Sequence, residues 1–337
     1  MQKVLKNYEE LAEYLKDAKR ILYVHGRSAE KFSRLNECLD SLNAILFHFT
    51  SFTPNPTLND AKNALEFFRA NKCVFLLTGG GGTAIDVTKY VKLNSPDTPL
   101  VVIPTTAGSG SEATRFAVLY EDGRKLSVTD DSIIPDAVMF DPELLRYLPE
   151  YHRKSSALDA FCHALESFWS VNANDESREY SRRALADITR LLEHYPESYD
   201  TEAMMQSAYT AGKAINIAQT TAGHAMCYRI TGLFGTAHGH SAAMCSRVLF
   251  RWLTENTRLE VLNDIAAAMG CSSPEEAAGK FCDIYSRLGL EIPEATEQDI
   301  EDLAGSVNPE RLKNFPASLD KETIRNLYRK ILRVREK

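Results

Sequence analysis

An acid and an imidazole lie four residues apart in the apolar segment 155–170, "SSALDAFCHALESFWS", at Asp159 and His163. Residues at this spacing on an α-helix project from the same face. Because the segment is apolar almost all round, both side chains are expected to be buried, and a buried carboxylate is costly without a compensating partner. His224 in "TTAGHAM" and His238 in "GTAHGH" belong to the same half of the chain. One carboxylate with three imidazoles can bind iron(II) or zinc, which would balance the charge of Asp159.

Taken one at a time, these histidines have a simpler interpretation. A lone histidine in an apolar helix is most often a hydrogen-bonded core residue, and spacing alone cannot show that four side chains converge. The metal hypothesis rests on the combination of Asp159 and His163 on one helix, His224 inside a second helix, and His238 on the loop after it. His240 follows two residues after His238, is expected close to the same site and is a candidate catalytic residue.

Two glycine-rich loops in the first half indicate an anion-binding site. Gly79–Gly82 stand between a buried strand and a helix start in "LLTGGGGTAIDVTK". The backbone amides of such a loop, with a helix N-terminus behind them, bind anions. The match to the dinucleotide motif G-x-G-x-x-G is loose, and a tight turn without a ligand is the alternative. A second loop, "TTAGSGSE" at 105–112, follows the next strand, and the pair favours a dinucleotide with its phosphates between the loops.

The elements that must hold these residues follow from hydrophobic periodicity. The first 150 residues alternate strands with helices of 10–15 residues, which predicts a parallel sheet, and a hairpin turned at 121–123 follows. The predicted strands are "RILYVHG", "NAILFHF", "CVFLLTGGGG" and "PLVVIP". The predicted helices between them are "SAEKFSRLNECLDSL", "LNDAKNALEFFRANK" and "AIDVTKYVKL". Residues 1–20 are also expected to be helical. Helical patterns dominate from "YLPEYH" onward. We therefore predict an α/β dinucleotide-binding domain with a Rossmann-like parallel sheet over 1–148 and an all-helical domain over 149–337.

Composition limits the class of partner. The chain has 337 residues, 44% of them hydrophobic and 25% charged, as in ordinary globular proteins. The net charge of −7 argues against nucleic acid or an anionic membrane as the main partner. The seven cysteines form no C-x-x-C pair, and there is neither a signal-peptide core nor an apolar run of membrane-spanning length. These features predict a cytoplasmic protein.

Several motifs together resemble the iron-dependent (group III) alcohol dehydrogenase family over essentially the whole chain. The motifs are "TPNPT" (53–57), "GGGTAIDVTK" (80–89), "IPTTAGSGSEAT" (103–114), "PDAVMFDPELLRYLP" (135–149), "LDAFCHALESF" (158–168) and "GHAMCYRITGLFGTAHG" (223–239). The resemblance implies the fold shared with dehydroquinate synthase: a dinucleotide-binding domain, a helical domain and an active site in the cleft. It also implies hydride transfer between a nicotinamide and an alcohol or aldehyde. We further expect a homodimer.

The resemblance assigns roles to positions of this sequence. The implied metal ligands, for Fe²⁺ or alternatively Zn²⁺, are Asp159, His163, His224 and His238. The implied cofactor contacts are Gly81, Gly82 and Thr83 at the pyrophosphate, and Asn55, Thr105, Thr106, Ser109 and Lys125 elsewhere on the dinucleotide. Thr114, Phe116 and Val118 alternate along a strand and are candidates to line the substrate pocket.

Two positions depart from the common family pattern. Many members carry a histidine four residues after the third ligand, where this chain has Tyr228, so Tyr228 is either the proton donor or a packing residue. Members that prefer NAD often have an acid after the first strand, where this chain has Gly26, Arg27 and Ser28. Without that acid a 2′-phosphate is not repelled, and Arg27 can pair with it. NADP(H) is therefore favoured over NAD(H).

Within the family, several stretches resemble the phosphonoacetaldehyde reductase group, which reduces phosphonoacetaldehyde to 2-hydroxyethylphosphonate. They are "SEATRFAVLY" (111–120), "ESFWSVNANDESREY" (166–180), "AGKAINIAQTTAGHA" (211–225), "FGTAHGH" (234–240) and "SVNPERLKNFPASLDKETIRNLYRKIL" (306–332). A dianionic substrate needs cations, for which Lys213 and Arg115 are candidates. Lys213, Asn216, Thr220 and His224 follow spacings of 3, 4 and 4 and are therefore predicted to form one helical stripe, which makes Asn216 a further candidate for the substrate site. Lys213 and Arg115 can equally form ordinary surface or interdomain pairs.

Three other functions compete with this one. The same chemistry can act on another small alcohol, diol or aldehyde. A lyase like dehydroquinate synthase shares the architecture, but it needs a metal-binding glutamate and a set of basic residues, whereas this chain offers Asp159 with three histidines. A non-catalytic binding protein is the third alternative, and the intact ligand set argues against it.

Overall fold

The computed structural model describes residues 2–121 and 124–335, and it divides into two compact units, 1–149 and 150–337. The division falls one residue beyond the position near 148 suggested by the sequence. The first unit is α/β and the second is helical, so the predicted fold class is confirmed. Within the described ranges, no helix is both long enough and apolar enough to cross a membrane.

The α/β unit is built on a parallel sheet. Its strands are β1 (Lys3–Leu5), β2 (Arg20–His25), β3 (Ile45–Phe49), β4 (Phe75–Gly80), β5 (Leu100–Pro104), β6 (Phe116–Glu121), β7 (Arg124–Thr129) and β8 (Ala137–Met139). Its helices are α1 (Tyr8–Leu15), α2 (Ser33–Asp40), α3 (Leu58–Ala70) and α4 (Gly82–Leu93). Six described strands pair in the order β1-β8-β5-β4-β2-β3, all of them parallel. The apolar runs of the central strands are buried, as expected for a sheet covered on both faces.

The strand order contains a switch point. From β2 the chain moves outward to β3, then returns past β2 to β4 and continues in the opposite direction to β5. Ligands of open α/β sheets bind at the carboxyl ends of the strands where the order reverses. Gly79 and Gly80 of the first predicted glycine loop are the last residues of β4 and Gly82 begins α4, so only Gly81 lies between the two elements. The second glycine loop follows β5 and Gly26 follows β2, so all of these residues lie at this edge.

Three details of the α/β unit differ from the expectation. Residues 1–20 contain the short strand β1 before α1, because Lys3–Leu5 pairs with β8 far along the chain. The helix predicted from residue 28 begins only at Ser33, since Arg27–Lys31 forms a 3₁₀ turn. β6 and β7 form the predicted antiparallel hairpin, but Asp122 and Gly123 of its predicted turn lie outside the described residues.

The second unit is a helical array with one small strand pair. Its helices are α5 (Glu150–Trp169), α6 (Asp175–Glu193), α7 (Thr201–Ala218), α8 (Ala222–Phe234), α9 (His238–Asn256), α10 (Val261–Ala268), α11 (Pro274–Leu288), α12 (Glu297–Ser306), α13 (Pro309–Leu312) and α14 (Lys321–Ile331). β9 (Glu294–Ala295) and β10 (Arg333–Val334) pair in parallel. The most buried helix is α5, which packs against α6, α7 and α9 and carries the first two candidate ligands.

Candidate functional site

One face of α5 carries three buried ionisable side chains. Asp159, His163 and Glu166 occupy positions i, i+4 and i+7, which lie on the same side of a helix. All three are buried, and Glu166 is completely inaccessible. Helix α8 adds His224 and helix α9 adds His238 to the same side of α5.

The three imidazoles converge on one carboxylate oxygen. The Nε2 atoms of His163, His224 and His238 lie 3.9, 3.4 and 3.9 Å from Oδ1 of Asp159. The ligand atoms of Asp159, His163 and His224 all lie within 4.8 Å of one another. His238 stands on the open side of this cluster, with 39% of its side chain exposed.

The chemistry of this cluster fits a divalent metal ion. Within the described chain, Asp159 Oδ1 and His224 Nε2 are fully buried without a hydrogen-bond partner. Such orphaned atoms are costly unless something binds them. Ligand atoms about 2.1 Å from a tetrahedral ion are about 3.4 Å apart, which is close to the separations observed here. One aspartate and three histidines are a donor set suited to iron(II) or zinc.

Glu166 is a functional residue that the sequence analysis missed. Its Oε1 accepts hydrogen bonds from His224 Nδ1 at 2.7 Å and from Ser246 Oγ at 2.9 Å. Its Oε2 accepts from the Thr221 amide at 2.7 Å and the Thr221 hydroxyl at 2.8 Å. Because Glu166 occupies Nδ1 of His224, the ring presents Nε2 toward Asp159, which is the tautomer a metal ligand needs. An acid seven residues after Asp159 in an apolar helix was the available signal.

Electrostatics within the cluster keep both carboxylates ionised. Burial alone would raise the pKa of Asp159, but the imidazoles around it hold that pKa well below its usual range. Burial likewise opposes ionisation of Glu166, yet the charge and hydrogen bonds of His224 and Thr221 lower its pKa to about 2. For His224 the two carboxylates outweigh burial and raise the pKa to about 9. The cluster therefore attracts positive charge.

The helix carrying His224 is not continuous with the helix that carries Lys213, which corrects the predicted stripe. α7 ends at Ala218, Gln219 takes a positive φ of 61°, and α8 begins at Ala222. The break is fixed by Glu166, which captures the amide of Thr221 at the start of α8. The predicted substrate residues Lys213 and Asn216 therefore lie on α7, apart from the helix of His224, and the Lys213 ammonium lies 4.4 Å from the ring centre of Tyr209.

His238 is the first residue of α9, rather than part of a loop as predicted. A Cβ on the next residue, Gly239, would lie 2.1 Å from the carbonyl oxygen of Ser155 and 2.6 Å from Asp159 Cβ. The absence of a side chain at Gly239 therefore lets α9 approach α5 closely enough to bring His238 to Asp159. The ring of Tyr228 stacks on His238, with 5.4 Å between ring centres and 21° between planes.

Two tyrosines hold the ring of His240. Its Nδ1 lies 3.2 Å from the hydroxyl of Tyr151, and its Nε2 lies 2.9 Å from the hydroxyl of Tyr285. The Tyr151 hydroxyl also accepts the amide of Ala237, immediately before α9. Burial lowers the pKa of His240 to about 4, so the ring is neutral at ordinary pH. His240 thus links α5, α9 and α11, with both ring nitrogens engaged.

In the α/β unit the two glycine-rich loops lie against each other. A Cβ at Gly81 would lie 3.1 Å from Thr106 Cγ2, and a Cβ at Gly82 would lie 3.1 Å from Ser109 Cβ. Thr83 donates to the carbonyl oxygen of Pro54 at 2.8 Å, which joins the loop containing Asn55 to the start of α4. A side chain at Gly82 would therefore press on Ser109 before reaching any ligand, which refines the expected role of this glycine.

Asp86 and Lys89 of α4 anchor these loops, and the sequence analysis did not assign them a role. Lys89 is fully buried and donates to the backbone carbonyls of Ser111, Thr114 (2.6 Å) and Phe116 (2.8 Å). Asp86 accepts from the Ser111 hydroxyl at 2.7 Å and from the Val118 amide at 3.1 Å. The second loop and β6 are thus fixed to the helix that begins at the first loop.

The remaining candidates lie at the same edge or on the hairpin. The amide of Thr105 donates a hydrogen bond to the carbonyl oxygen of Gly80. Lys125 stands opposite Tyr120 in the hairpin, and the charge of Lys125 favours ionisation of Asp86. Gly26 precedes the 3₁₀ turn that contains Arg27 and Ser28. Among the candidate pocket residues, Thr114 is buried, whereas Phe116 and Val118 are partly exposed. Arg115 pairs with Asp131 at 3.1 Å.

Two family models match the chain and together span most of it. "Iron-containing alcohol dehydrogenase" matches residues 4–142, and "Fe-containing alcohol dehydrogenase family, C-terminal" matches residues 154–332. The chain belongs to the iron-containing alcohol dehydrogenase family. This membership makes the protein an oxidoreductase, as the sequence motifs indicated.

Named relatives of the chain carry names of different activities. The chain is 31% identical over 287 residues to phosphonoacetaldehyde reductase of Streptomyces viridochromogenes, covering 77% of this chain and 72% of that protein. It is 28% identical over 285 residues to alcohol dehydrogenase 4 of Schizosaccharomyces pombe, covering 77% and 67%.

Solved structures agree on the fold. An iron-containing alcohol dehydrogenase of Thermotoga maritima matches with a TM-score of 0.85 and 26% identity, covering 98% of both chains. Sulfoacetaldehyde reductase of Bifidobacterium kashiwanohense, solved in complex with NAD⁺, matches with a TM-score of 0.89, covering 98% of this chain and 96% of that one. At 23% identity the second likeness shows the fold.

Proposed function

We propose that this protein is a metal- and NAD(P)H-dependent reductase that interconverts a short aldehyde and its primary alcohol. The observation that carries the proposal is the convergence of three imidazole Nε2 atoms on Asp159 Oδ1. Two buried atoms of this cluster, Asp159 Oδ1 and His224 Nε2, have no hydrogen-bond partner among the residues that the structure describes. Family membership supplies the reaction class. Asp159, His163, His224 and His238 would hold the ion, iron(II) in preference to zinc. When bound, the ion acts as a Lewis acid that polarises the substrate oxygen.

The α/β unit is proposed to bind the dinucleotide. Gly81, Gly82 and Thr83 present backbone amides at the N-terminus of α4, which suits a pyrophosphate. Asn55, Thr105, Thr106, Ser109 and Lys125 are proposed to contact other parts of the cofactor, and Thr114, Phe116 and Val118 to line the substrate pocket. The domain assignment of the sequence analysis, a nucleotide-binding first unit and a metal-binding second unit, is part of this proposal. A homodimer is also part of this proposal, and light scattering can test it.

Phosphonoacetaldehyde is the proposed substrate, supported by the relative of that activity at 31% identity. The rival is a neutral short aldehyde or diol, supported by the relative named alcohol dehydrogenase 4. The test is oxidation of NADPH and NADH by the iron- and the zinc-loaded protein with a panel of aldehydes. We expect the highest kcat/KM with phosphonoacetaldehyde. A higher value with propionaldehyde would favour the rival, and inactivity with every aldehyde would refute the reductase proposal.

The lyase alternative has little support. It requires a glutamate among the metal ligands, whereas Glu166 is turned away from the open side and accepts hydrogen bonds from His224, Thr221 and Ser246. The relatives named above are alcohol dehydrogenases and reductases. An intact ligand cluster likewise argues against a non-catalytic binding protein.

The preference between NADPH and NADH can be tested at Gly26. A Cβ built there meets no described atom within 4 Å apart from its chain neighbours, so the Cβ of Gly26→Asp has room. An aspartate would repel a 2′-phosphate and bind the ribose hydroxyls, and it would stand beside Arg27. We expect the ratio of kcat/KM for NADPH to that for NADH to fall at least about tenfold, given a loss of one charge-assisted contact. An unchanged ratio would place the ribose site elsewhere.

The proton that completes aldehyde reduction is proposed to come from Tyr228. Arg311 donates to the Tyr228 oxygen at 3.2 Å, so the tyrosine proton is left to point elsewhere, and the ring stacks on His238. Tyr228→Phe keeps the stacked ring and removes only the hydroxyl. We expect kcat to fall roughly 10²-fold while metal binding is unchanged. A normal kcat with an unaltered pH profile would identify Tyr228 as a packing residue.

A further inference from the structure

A cation lies one aromatic ring away from the candidate metal cluster. The guanidinium carbon of Arg311, in α13, lies 5.0 Å from the ring centre of Tyr228, and its Nη1 donates to the Tyr228 oxygen. The Tyr228 ring centre lies 5.4 Å from that of His238. The guanidinium carbon is therefore no farther than 10.4 Å from the His238 ring centre, the sum of these two separations.

This cation lies toward the accessible side of the cluster. The side chains of Asp159, His163 and His224 are 10%, 6% and 3% exposed, whereas that of His238 is 39% exposed. Tyr228 and Arg311 are also partly exposed. His238 is therefore the most exposed of the four side chains, and its ring stacks on the ring of Tyr228, which contacts the guanidinium.

We propose that Arg311 binds the anionic group of the substrate, which makes short aldehydes with a terminal phosphonate the preferred class. The proposal rests on the reductase function proposed above. In phosphonoacetaldehyde the phosphonate oxygens lie about 5 Å from the carbonyl oxygen, by ordinary bond lengths. A charge-assisted hydrogen bond adds about 2.8 Å, so an aldehyde oxygen near His238 and a phosphonate at Arg311 are within one short molecule of each other.

The chemistry of Arg311 suits this role. A guanidinium offers a planar pair of N–H donors that matches two phosphonate oxygens, which a lysine cannot reproduce. In a protein of net charge −7, a dianion needs a local cation of this kind. The cations suggested by sequence lie beside other groups: Lys213 lies over the ring of Tyr209, and Arg115 pairs with Asp131 in the α/β unit.

The test compares substrates that differ in charge. For wild type and Arg311→Met, kcat/KM is measured with phosphonoacetaldehyde and with propionaldehyde, a neutral aldehyde of similar length. The ratio of the two values is expected to fall about 10²-fold in Arg311→Met, because a charge-assisted pair is lost only for the anion. Lys313→Met is the matched control, since Lys313 is an exposed cation two residues away that pairs with Glu310. Tyr228→Phe should lower both values and leave the ratio within about threefold of wild type.

A binding measurement gives a readout independent of turnover. Titration calorimetry of the metal-loaded protein with methylphosphonate should show binding to wild type and to Lys313→Met, and loss of binding in Arg311→Met. An unchanged ratio with unchanged methylphosphonate affinity would overturn the role of Arg311. An equal loss on both aldehydes in Arg311→Met, with methylphosphonate still bound, would also overturn it and leave a packing role against Tyr228. Wild type inactive with every aldehyde would instead refute the reductase function, which separates the two failures.

Discussion

Glu166 connects the packing of the helices to the chemistry of the candidate metal cluster. It is completely buried, and its carboxylate accepts hydrogen bonds from the Thr221 amide and hydroxyl, the Ser246 hydroxyl and Nδ1 of His224, and a longer one of 3.4 Å from the His224 amide. A carboxylate can accept from all of them at once. A Cβ at Gly223 would lie 2.4 Å from Oε1, so this glycine is needed to let the carboxylate reach α8.

Glu166→Gln should weaken metal binding with little change in shape. In either orientation, the NH₂ group of the new glutamine faces groups that donated hydrogen bonds to the carboxylate. Either His224 Nδ1 or Thr221 therefore loses its acceptor. Loss of such a supporting partner typically costs 10- to 100-fold in metal affinity. We expect a decrease of this size in a competitive titration with a chromogenic chelator. Glu179→Gln, at an exposed glutamate of α6 paired with Arg182, should leave the affinity unchanged. Equal affinity in both variants would contradict the orienting role.

At the scale of elements, the cluster depends on how closely α9 lies on α5. Gly239 sits against the backbone of Ser155, whose hydroxyl also accepts the amide of His240 at 3.0 Å. The hydroxyl of Tyr151, eight residues before Asp159, accepts a hydrogen bond from the Ala237 amide and is hydrogen-bonded to the His240 ring. These contacts fix the first turn of α9, and they give His240 a positioning role through its tyrosine partners.

Gly239→Ala should separate the two helices at this point. The new Cβ would lie 2.1 Å from a backbone oxygen, so the start of α9 must shift and carry His238 away from Asp159. We expect metal affinity to fall about 10²-fold and overpacking to cost about 1–3 kcal/mol of unfolding free energy. The control is Gly232→Ala in α8, where a Cβ meets no described atom within 4 Å. Retention of wild-type metal affinity in Gly239→Ala would show that the close approach is not needed.

Some secondary-structure elements could be predicted from the sequence and others could not. The central strands and long helices follow from hydrophobic periodicity, because the burial of one face or of a whole strand is visible in the local pattern of apolar residues. The break between α7 and α8 is not local: Gln219 and Thr221 are held there by Glu166, 55 residues before Thr221. For the same reason β1 escaped detection, since three residues form a strand only by pairing with β8.

For the whole molecule, fold class and family could be predicted from the sequence. The tetrad Asp159, His163, His224 and His238 was proposed from residue types and spacing, and the structure brings these side chains together. Three supporting residues, Glu166, Asp86 and Lys89, were not assigned, because their roles depend on which backbone groups of distant segments meet them. Polar residues inside apolar helices were the signal present in the sequence. Arg311 gave no signal of its own, since its position beside Tyr228 exists only in the folded chain.

Metal binding should be visible as a change in the stability of the protein. An ion that binds only the native cluster stabilises it by RT ln(1 + [L]/Kd), about 2.7 kcal/mol at a free concentration of 100 times Kd. For a unit the size of residues 150–337, this corresponds to a rise in Tm of roughly 5–10 °C. Differential scanning calorimetry of the chelated protein, with and without Zn²⁺ or anaerobic Fe²⁺, measures the shift. His194→Ala, at an exposed histidine that ends α6, should keep the shift, whereas His224→Ala should lose most of it. A full shift in His224→Ala would mean that the ion stabilises the chain from another site.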